Sequence, residues 1–335
     1  MTDRRQFTAR MLGTLGTLGT LGATAALPLW PRLASAQTPE VVRIVVGFPP
    51  GGSTDNVARR LAEKLRGAYA PTMLVDNRPG AGTQIAVGAV KEAAPDGGTV
   101  LLSPPAPFSV YPFTYRKLPY APQDLVPVAM VCTFPFAFAV GPAVPASVRT
   151  LPDFIAWAKA HPTQAAFGSP AAGSTPHLLG SLLGKMAGVE LTHVPYRGDG
   201  PGLQDLMGGQ VAGYSTVLGS YLPQLRSGRL RLLAVSGSAR SPFAPELPTY
   251  AEQGYALDNT EWFGLFVPAR TPQAVIERLA SAARAAVAQP DYAQGLAEFG
   301  MSAQFLGPQE LAAKLKADTD FWRVQVPRIG FTADS

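Results

Sequence analysis

An α/β fold of two doubly wound domains is predicted by three observations. Strand-like and helix-like segments alternate as βαβαβ over residues 41–113. The alternation restarts over 151–235. Each run contains a strand that passes through a Gly-Ser-Thr turn directly into a helix, once at Gly52-Ser53-Thr54 and once at Gly173-Ser174-Thr175.

Residues 1–36 read as an export signal of the twin-arginine type. Arg4-Arg5 is followed by Phe7, then by a weakly apolar segment with a Gly-Thr-Leu triplet repeated from Gly13, Gly16 and Gly19, and finally by Ala34-Ser35-Ala36, a small-x-small cleavage pattern. Glycine and threonine make the segment too polar for a good transmembrane helix, and no cysteine stands at the cleavage point to carry a lipid. A mature chain beginning near Gln37 and located in the periplasm is therefore expected. The whole chain carries +5, but the signal's four arginines against one aspartate take +3 of it. The mature part is nearly neutral, and no basic patch with interleaved aromatics points to nucleic acid. The single cysteine, Cys132, lies in an apolar run and has no partner for an internal disulfide. Charged residues are 15% of the chain, with 34 glycines and 33 prolines, which suits a compact protein with many tight turns.

The apolar run 42–46 predicts a buried strand and the spacing of Val57, Ala58, Leu61, Ala62 and Leu65 a helix over 54–66. Between them runs Phe48-Pro49-Pro50-Gly51-Gly52-Ser53-Thr54-Asp55. Its glycines permit a sharp bend and close approach of a ligand. The helix start offers N–H groups and partial positive charge, so an anion can dock without Arg or Lys. Next come strand 73–76, a turn over 77–82, helix 84–93, the turn Pro95-Asp96-Gly97-Gly98 and strand 99–103. Ligands of such sheets gather at the carboxyl ends of strands, which places 48–54 and Ser103-Pro104-Pro105-Ala106 on one rim. The turn 77–82 follows an outer strand and ranks lower.

Residues 125–140 form a long apolar strand suited to crossing between domains. Then follow helix 151–160, strand 165–168, and Ser169 to His177, leading into helix 176–187 with Pro176 at an early position where its missing N–H costs nothing. Strand 191–194, the turn Pro195-Tyr196-Arg197-Gly198, helix 201–207, strand 210–214, helix 220–226 and strand 230–235 complete the second run. After Ser236 the chain returns to the first domain through strand 261–267 and helices 272–288, 291–298 and 308–323. The expected domains are 37–138 plus 240–335, and 139–239, joined by two strands at a hinge with a ligand cleft between them.

Several motifs, in order, carry a resemblance: Gly47-Phe48-Pro49-Pro50-Gly51-Gly52-Ser53-Thr54-Asp55, Asp76-Asn77-Arg78-Pro79-Gly80-Ala81-Gly82, Gly173-Ser174-Thr175-Pro176-His177, His193-Val194-Pro195-Tyr196-Arg197-Gly198, Gly208-Gly209-Gln210-Val211 and Trp262-Phe263-Gly264-Leu265-Phe266-Val267-Pro268. Together they cover nearly the whole mature chain. The chain resembles the substrate-binding proteins of tripartite tricarboxylate transporters, the Bug (Bordetella uptake gene) or TctC-like family. The resemblance implies a type II periplasmic-binding-protein fold that closes on a small carboxylate and delivers it to a membrane permease. Carried over by position, it implies ligand contacts at Phe48, Gly51, Gly52, Ser53, Thr54, Asp55 and Ala106. Opposite them it implies Ser169, Gly173, Ser174, Thr175, His177, Pro195, Tyr196 and Tyr214. Many members have an acidic residue after Gly-Gly-Gln-Val, able to meet a ligand amino group, where this chain has Ala212. Tyr214 with Phe108 then suggests an apolar or aromatic acid rather than an amino acid, beside dicarboxylates and tricarboxylates.

Other roles stand beside these. Asp55 is a helix cap or a ligand contact; an acid facing an anion repels it. His193 and Arg78 read as structural hydrogen-bonders, Tyr196 as cleft wall or packing, and Trp262 and Phe263 as core. An exported hydrolase is the competing class, since Ser53, Ser174, His177 and Asp55 can be assembled on paper. However, no Gly-x-Ser-x-Gly elbow or His-Glu-x-x-His occurs. Three histidines and one cysteine supply a metal site poorly, and neither cofactor nor metal is expected. A receptor serving a signalling system is the other alternative, and a monomer is expected.

Overall fold

The computed structural model describes residues 39–225 and 228–333. The export-signal reading, including Arg4-Arg5 and the cleavage after Ala36, lies outside the described residues. In chain order the first elements are β1 (Val41–Val46), α1 (Ser53–Leu65), β2 (Thr72–Asn77), α2 (Gln84–Lys91), β3 (Thr99–Ser103), the short α3 (Ala106–Ser109) and α4 (Tyr111–Thr114), and β4 (Leu125–Val140). Then come α5 (Leu151–Ala160), β5 (Ala166–Ser169), α6 (Thr175–Ala187), β6 (Thr192–Pro195), α7 (Asp199–Met207), β7 (Gly213–Val217), α8 (Leu218–Leu225) and β8 (Arg231–Val235). The chain closes with β9 (Thr260–Pro268), α9 (Gln273–Val287), α10 (Pro290–Ala297), β10 (Ser302–Leu306) and α11 (Pro308–Ile329).

The strands form one curled mixed sheet, ordered β2-β1-β3-β9-β4-β7-β5-β6, with β8 and β10 also paired to β4. The long apolar run 125–140 is thus its trunk. Residues Leu125 to Pro135 pair antiparallel with β9, and Phe136 to Val140 pair with β7 and β8. Pro135 falls where the strand changes partners, a place that tolerates the loss of a ladder donor. Burial of both faces explains why β4 shows no polar alternation: Val128 to Cys132 and Phe136 to Val140 are almost wholly inaccessible. Cys132 is free and fully buried there, and burial pushes its thiol up to about 12.

Two sets of parallel strands set the position of the loops. β1 pairs in parallel with β2 and β3, so the loops after Val46, Asn77 and Ser103 share one rim. β5 pairs in parallel with β6 and β7, so those after Ser169, Pro195 and Val217 share another. Helices cover both faces; α1 turns Val57, Ala58, Leu61 and Leu65 inward, as their spacing predicts. β10 is a strand absent from the sequence reading. The strand predicted over 210–214 begins only at Gly213, because Gln210 closes a turn by donating its N–H to the Asp205 carbonyl at 2.9 Å.

Candidate functional site

On the first rim the chain leaves β1 at Gly47, bends through Gly51 at φ +85°, and enters α1 at Ser53. The N-cap, Gly52, has no side chain to offer, so no side-chain cap engages the first turn of α1. A helix start without such a cap presents its N–H groups outward. Gly51 and Gly52 are exposed, Phe48 and Ser53 partly so, and Thr54 is buried.

Asp55 holds this bend together. Its carboxylate accepts from the Gly51 N–H at 2.9 Å, the Arg59 Nε at 2.9 Å and the Asn77 Nδ2 at 3.0 Å. Asn77 also donates to the Phe48 carbonyl at 3.1 Å. Burial raises the Asp55 pKa, but these hydrogen bonds, led by Arg59, outweigh it and hold the group below the usual carboxylate range.

The turn after β2 takes part as well. Gly80, Ala81, Gly82 and Thr83 have φ of +136°, +46°, +61° and +81° in succession. A β-branched residue at such a φ is strained by about 1–3 kcal/mol and needs its surroundings to hold it there. Thr83 is 1% exposed and lies against Gly47, where an added Cβ would stand 2.4 Å from the Thr83 Cγ2. A Cβ on Gly82 would likewise meet the Tyr111 hydroxyl at 2.7 Å. β2 is the outer strand, as expected, but the turn after it, ranked lower on that ground, packs under the first loop through Thr83; the Gly-x-Gly pair is the signal that points there. Ala106 is buried at the head of α3, after Pro105.

On the second rim Ser174 is the N-cap of α6, yet its hydroxyl donates to the Ala171 carbonyl at 2.7 Å and no side chain caps the helix. Pro176 is the second residue of α6, and Gly173 bends at φ +72°. The Gly173 N–H donates to the His177 Nδ1 at 2.9 Å, which puts the proton of the neutral ring on Nε2. His177 stacks on His193 with ring centroids 3.7 Å apart, and Phe331 meets His177 edge-on at 4.5 Å. The Ser169 hydroxyl, fully buried, lies 2.8 Å from the His193 Nε2 and 3.1 Å from the Ala171 carbonyl. Burial lowers His177 to about 4, and burial together with His177 lowers His193 to about 3, so both rings are neutral at ordinary pH. His193 thus belongs beside His177, a neighbour the sequence reading did not foresee.

Tyr196 donates its hydroxyl to Asp205 at 2.9 Å, and its N–H to the Ser169 carbonyl at 2.9 Å, joining the loops after β5 and β6; Pro195 is exposed. Tyr214 is fully buried between Gly168 and Gly202, its hydroxyl 3.4 Å from both the Gly198 carbonyl and Asp199. Asp199, also unforeseen, accepts from Thr216 and Ser220 at 2.6 Å each. Burial pushes its carboxyl up against the lowering effect of these hydroxyls. Ala212 precedes β7, at the end of the strand away from the rim, so its identity says nothing about the ligand. Phe108 stacks on Phe266 at 4.4 Å within the core, so its ring gives no support to an aromatic acid.

The two rims approach one another around α4. Gly82 faces Tyr111, and an added Cβ on Gly173 would be 3.9 Å from the Thr114 hydroxyl. Thr175, the first residue of α6, stands beside Glu261 on β9, where its side chain favours the ionised carboxyl. Of the residues considered for a hydrolase, Ser174, His177 and Asp55 hydrogen-bond to the other partners given above rather than to one another.

Residues 57–326 match the family model described as the tripartite tricarboxylate transporter family receptor. Among solved structures the chain is similar to the periplasmic binding protein BugD, at 30% identity and a TM-score of 0.78, covering 88% of this chain and 98% of that one. It is similar to R. palustris Rpa4515 with adipate, at 32% identity and 0.81, covering 87% and 98%. MatC from Rhodopseudomonas palustris with bound malate follows at 29% and 0.77, covering 85% and 98%. The fold is that of the periplasmic binding proteins.

Proposed function

The chain belongs to the tripartite tricarboxylate transporter receptor family, and on that premise we propose that it is a periplasmic receptor holding a small dicarboxylate between its two rims. The observation that carries this reading is the pair of helix starts, α1 after Gly51-Gly52 and α6 after Gly173-Ser174, each without a side-chain cap. A carboxylate at such an end gains N–H hydrogen bonds and the favourable end of the helix dipole without a cationic partner. Ligand contacts are assigned to Phe48, Gly51, Gly52, Ser53, Thr54 and Ala106, facing Ser169, Gly173, Ser174, Thr175, His177, Pro195 and Tyr196. Asp55 and Tyr214 support these loops from beneath. Rpa4515 with adipate and MatC with malate, both similar in fold and sequence, support a small carboxylate as the ligand.

The lobes are residues 37–138 with 240–335, and 139–239; the switch of β4 partners at Pro135 supports that division. β4 and β9 are the hinge strands, and the bound receptor delivers its cargo to a tripartite membrane permease. A thermal-shift screen against dicarboxylates, tricarboxylates, aromatic acids and amino acids tests this. A ligand at a hundred times its Kd stabilises the native state by about 2.7 kcal/mol, and dicarboxylates should give that shift without being consumed. A shift confined to amino acids, or turnover of an ester or amide, refutes it.

A further inference from the structure

Glu261 has no part in the site as described, and its setting is unusual for an acid. It is the second residue of β9, paired to Phe134 on β4, and 3% exposed. From another element the neutral side chain of Thr175 stands beside it and favours its ionised form. On the α11 side stand Asp318 and Lys314, and these are already engaged with each other at 3.1 Å, Asp318 also accepting from the Trp262 indole at 2.8 Å. On the α4 side stands the phenol of Tyr111, whose ionisation is pushed up by burial, Tyr115 and Glu261 itself. On α6, His177 is neutral for the reasons given above. The surroundings therefore hold Glu261 at the start of α6 without a cation of its own.

We propose that Glu261 shares the α6 N-terminus with the ligand's carboxylate, so that this receptor binds its anion together with a proton held on Glu261. The inference rests on the reading that a ligand carboxylate docks at α6. Two carboxylates at one helix end, one of them the buried Glu261, disfavour each other's ionisation, and one is pushed toward its protonated form. The ligand's carboxylate is the stronger acid in this pairing, because it has the N–H groups of the helix start. Glu261 has burial and the negative charge of Asp318 against ionisation, with only Thr175, Lys314 and its own strand's backbone in favour. The proton comes from solvent and resides on a Glu261 carboxyl oxygen; the neighbouring Thr175 hydroxyl oxygen can accept a hydrogen bond from that acid. Before any ligand arrives, burial already pushes Glu261 up to about 8. Binding raises it further, so affinity is constant below that pH and falls above it.

The test is adipate titrated into the purified protein by calorimetry from pH 6.5 to 9.5, where adipate is a full dianion. The Kd should be flat to about pH 8 and then rise, approaching tenfold per pH unit. At pH 8.5, buffers of different ionisation enthalpy should report uptake of roughly 0.5–1 proton per adipate. Glu261→Gln, the neutral isostere, should bind adipate with a flat pH profile and no proton uptake. Wild-type binding without proton uptake, or a wild-type slope that survives in Glu261→Gln, overturns the inference. The wild-type proton count decides the matter even if the variant does not fold. Absence of adipate and malate binding at every pH overturns the receptor reading instead.

Discussion

Replacing Asp55 by Ala separates a loop-organising residue from a ligand contact. The change removes the acceptor of the Gly51 N–H and of the Asn77 amide, and one half of the Arg59 ion pair. The Gly51 bond is charge-assisted and worth about 1.5–3 kcal/mol. The Asn77 amide keeps the Phe48 carbonyl, so its loss is smaller, about 0.5–1 kcal/mol. The Arg59 side chain is 55% exposed, so that i,i+4 pair adds only about 0.3–0.5 kcal/mol. Taken together, urea denaturation of the ligand-free protein should show a loss of about 2.3–4.5 kcal/mol at pH 7. The native pKa of Asp55 lies below its unfolded value, so its contribution is complete above about pH 4 and disappears as pH falls through the native pKa. The gap between wild type and variant should therefore narrow in acid. A variant as stable as wild type without ligand, but weaker in binding, would refute the reasoning and make Asp55 a ligand contact.

Three further outcomes follow from the packing. Gly47→Ala forces a Cβ to within 2.4 Å of the Thr83 Cγ2 and should cost about 1–3 kcal/mol in urea denaturation. Gly202→Ala drives a Cβ to 2.2 Å from the Tyr214 ring and should lower both Tm and dicarboxylate affinity, since Tyr214 underlies the loop that carries Asp199. His177 is neutral in the fold and charged in the unfolded chain below about pH 6.5, so its stabilising contribution is complete above that pH and lost toward about 4. Stability should fall by up to about 1.4 kcal/mol per pH unit from this residue alone, and His177→Asn should make the fall in Tm between pH 6.5 and 5 shallower, the remaining slope coming from His193.

Local signals in the sequence located most elements because their causes are local. The apolar run 125–140 coincides with β4, and Pro176 stands in the first turn of α6 where its missing N–H is harmless. Both Gly-Ser-Thr turns lead into helices as expected. β10 was illegible because Ser302–Leu306 is a half-buried strand with neither alternation nor an apolar run; its pairing to β4 defines it. The start of β7 was misplaced because a backbone turn, not a side-chain signal, takes up Gln210. The roles of Asp199, His193 and Glu261 depend on partners tens of residues away, which no spacing rule in one sequence reports.

The central claim is that two uncapped helix starts hold ionised carboxylates. Titration of adipate against its uncharged diamide, at one pH near 7 and one salt concentration, tests it most directly. Adipate should bind saturably at one site, with the diamide at least about tenfold weaker, since amides replace charge-assisted hydrogen bonds by ordinary ones. Equal affinity for the two compounds would contradict the account.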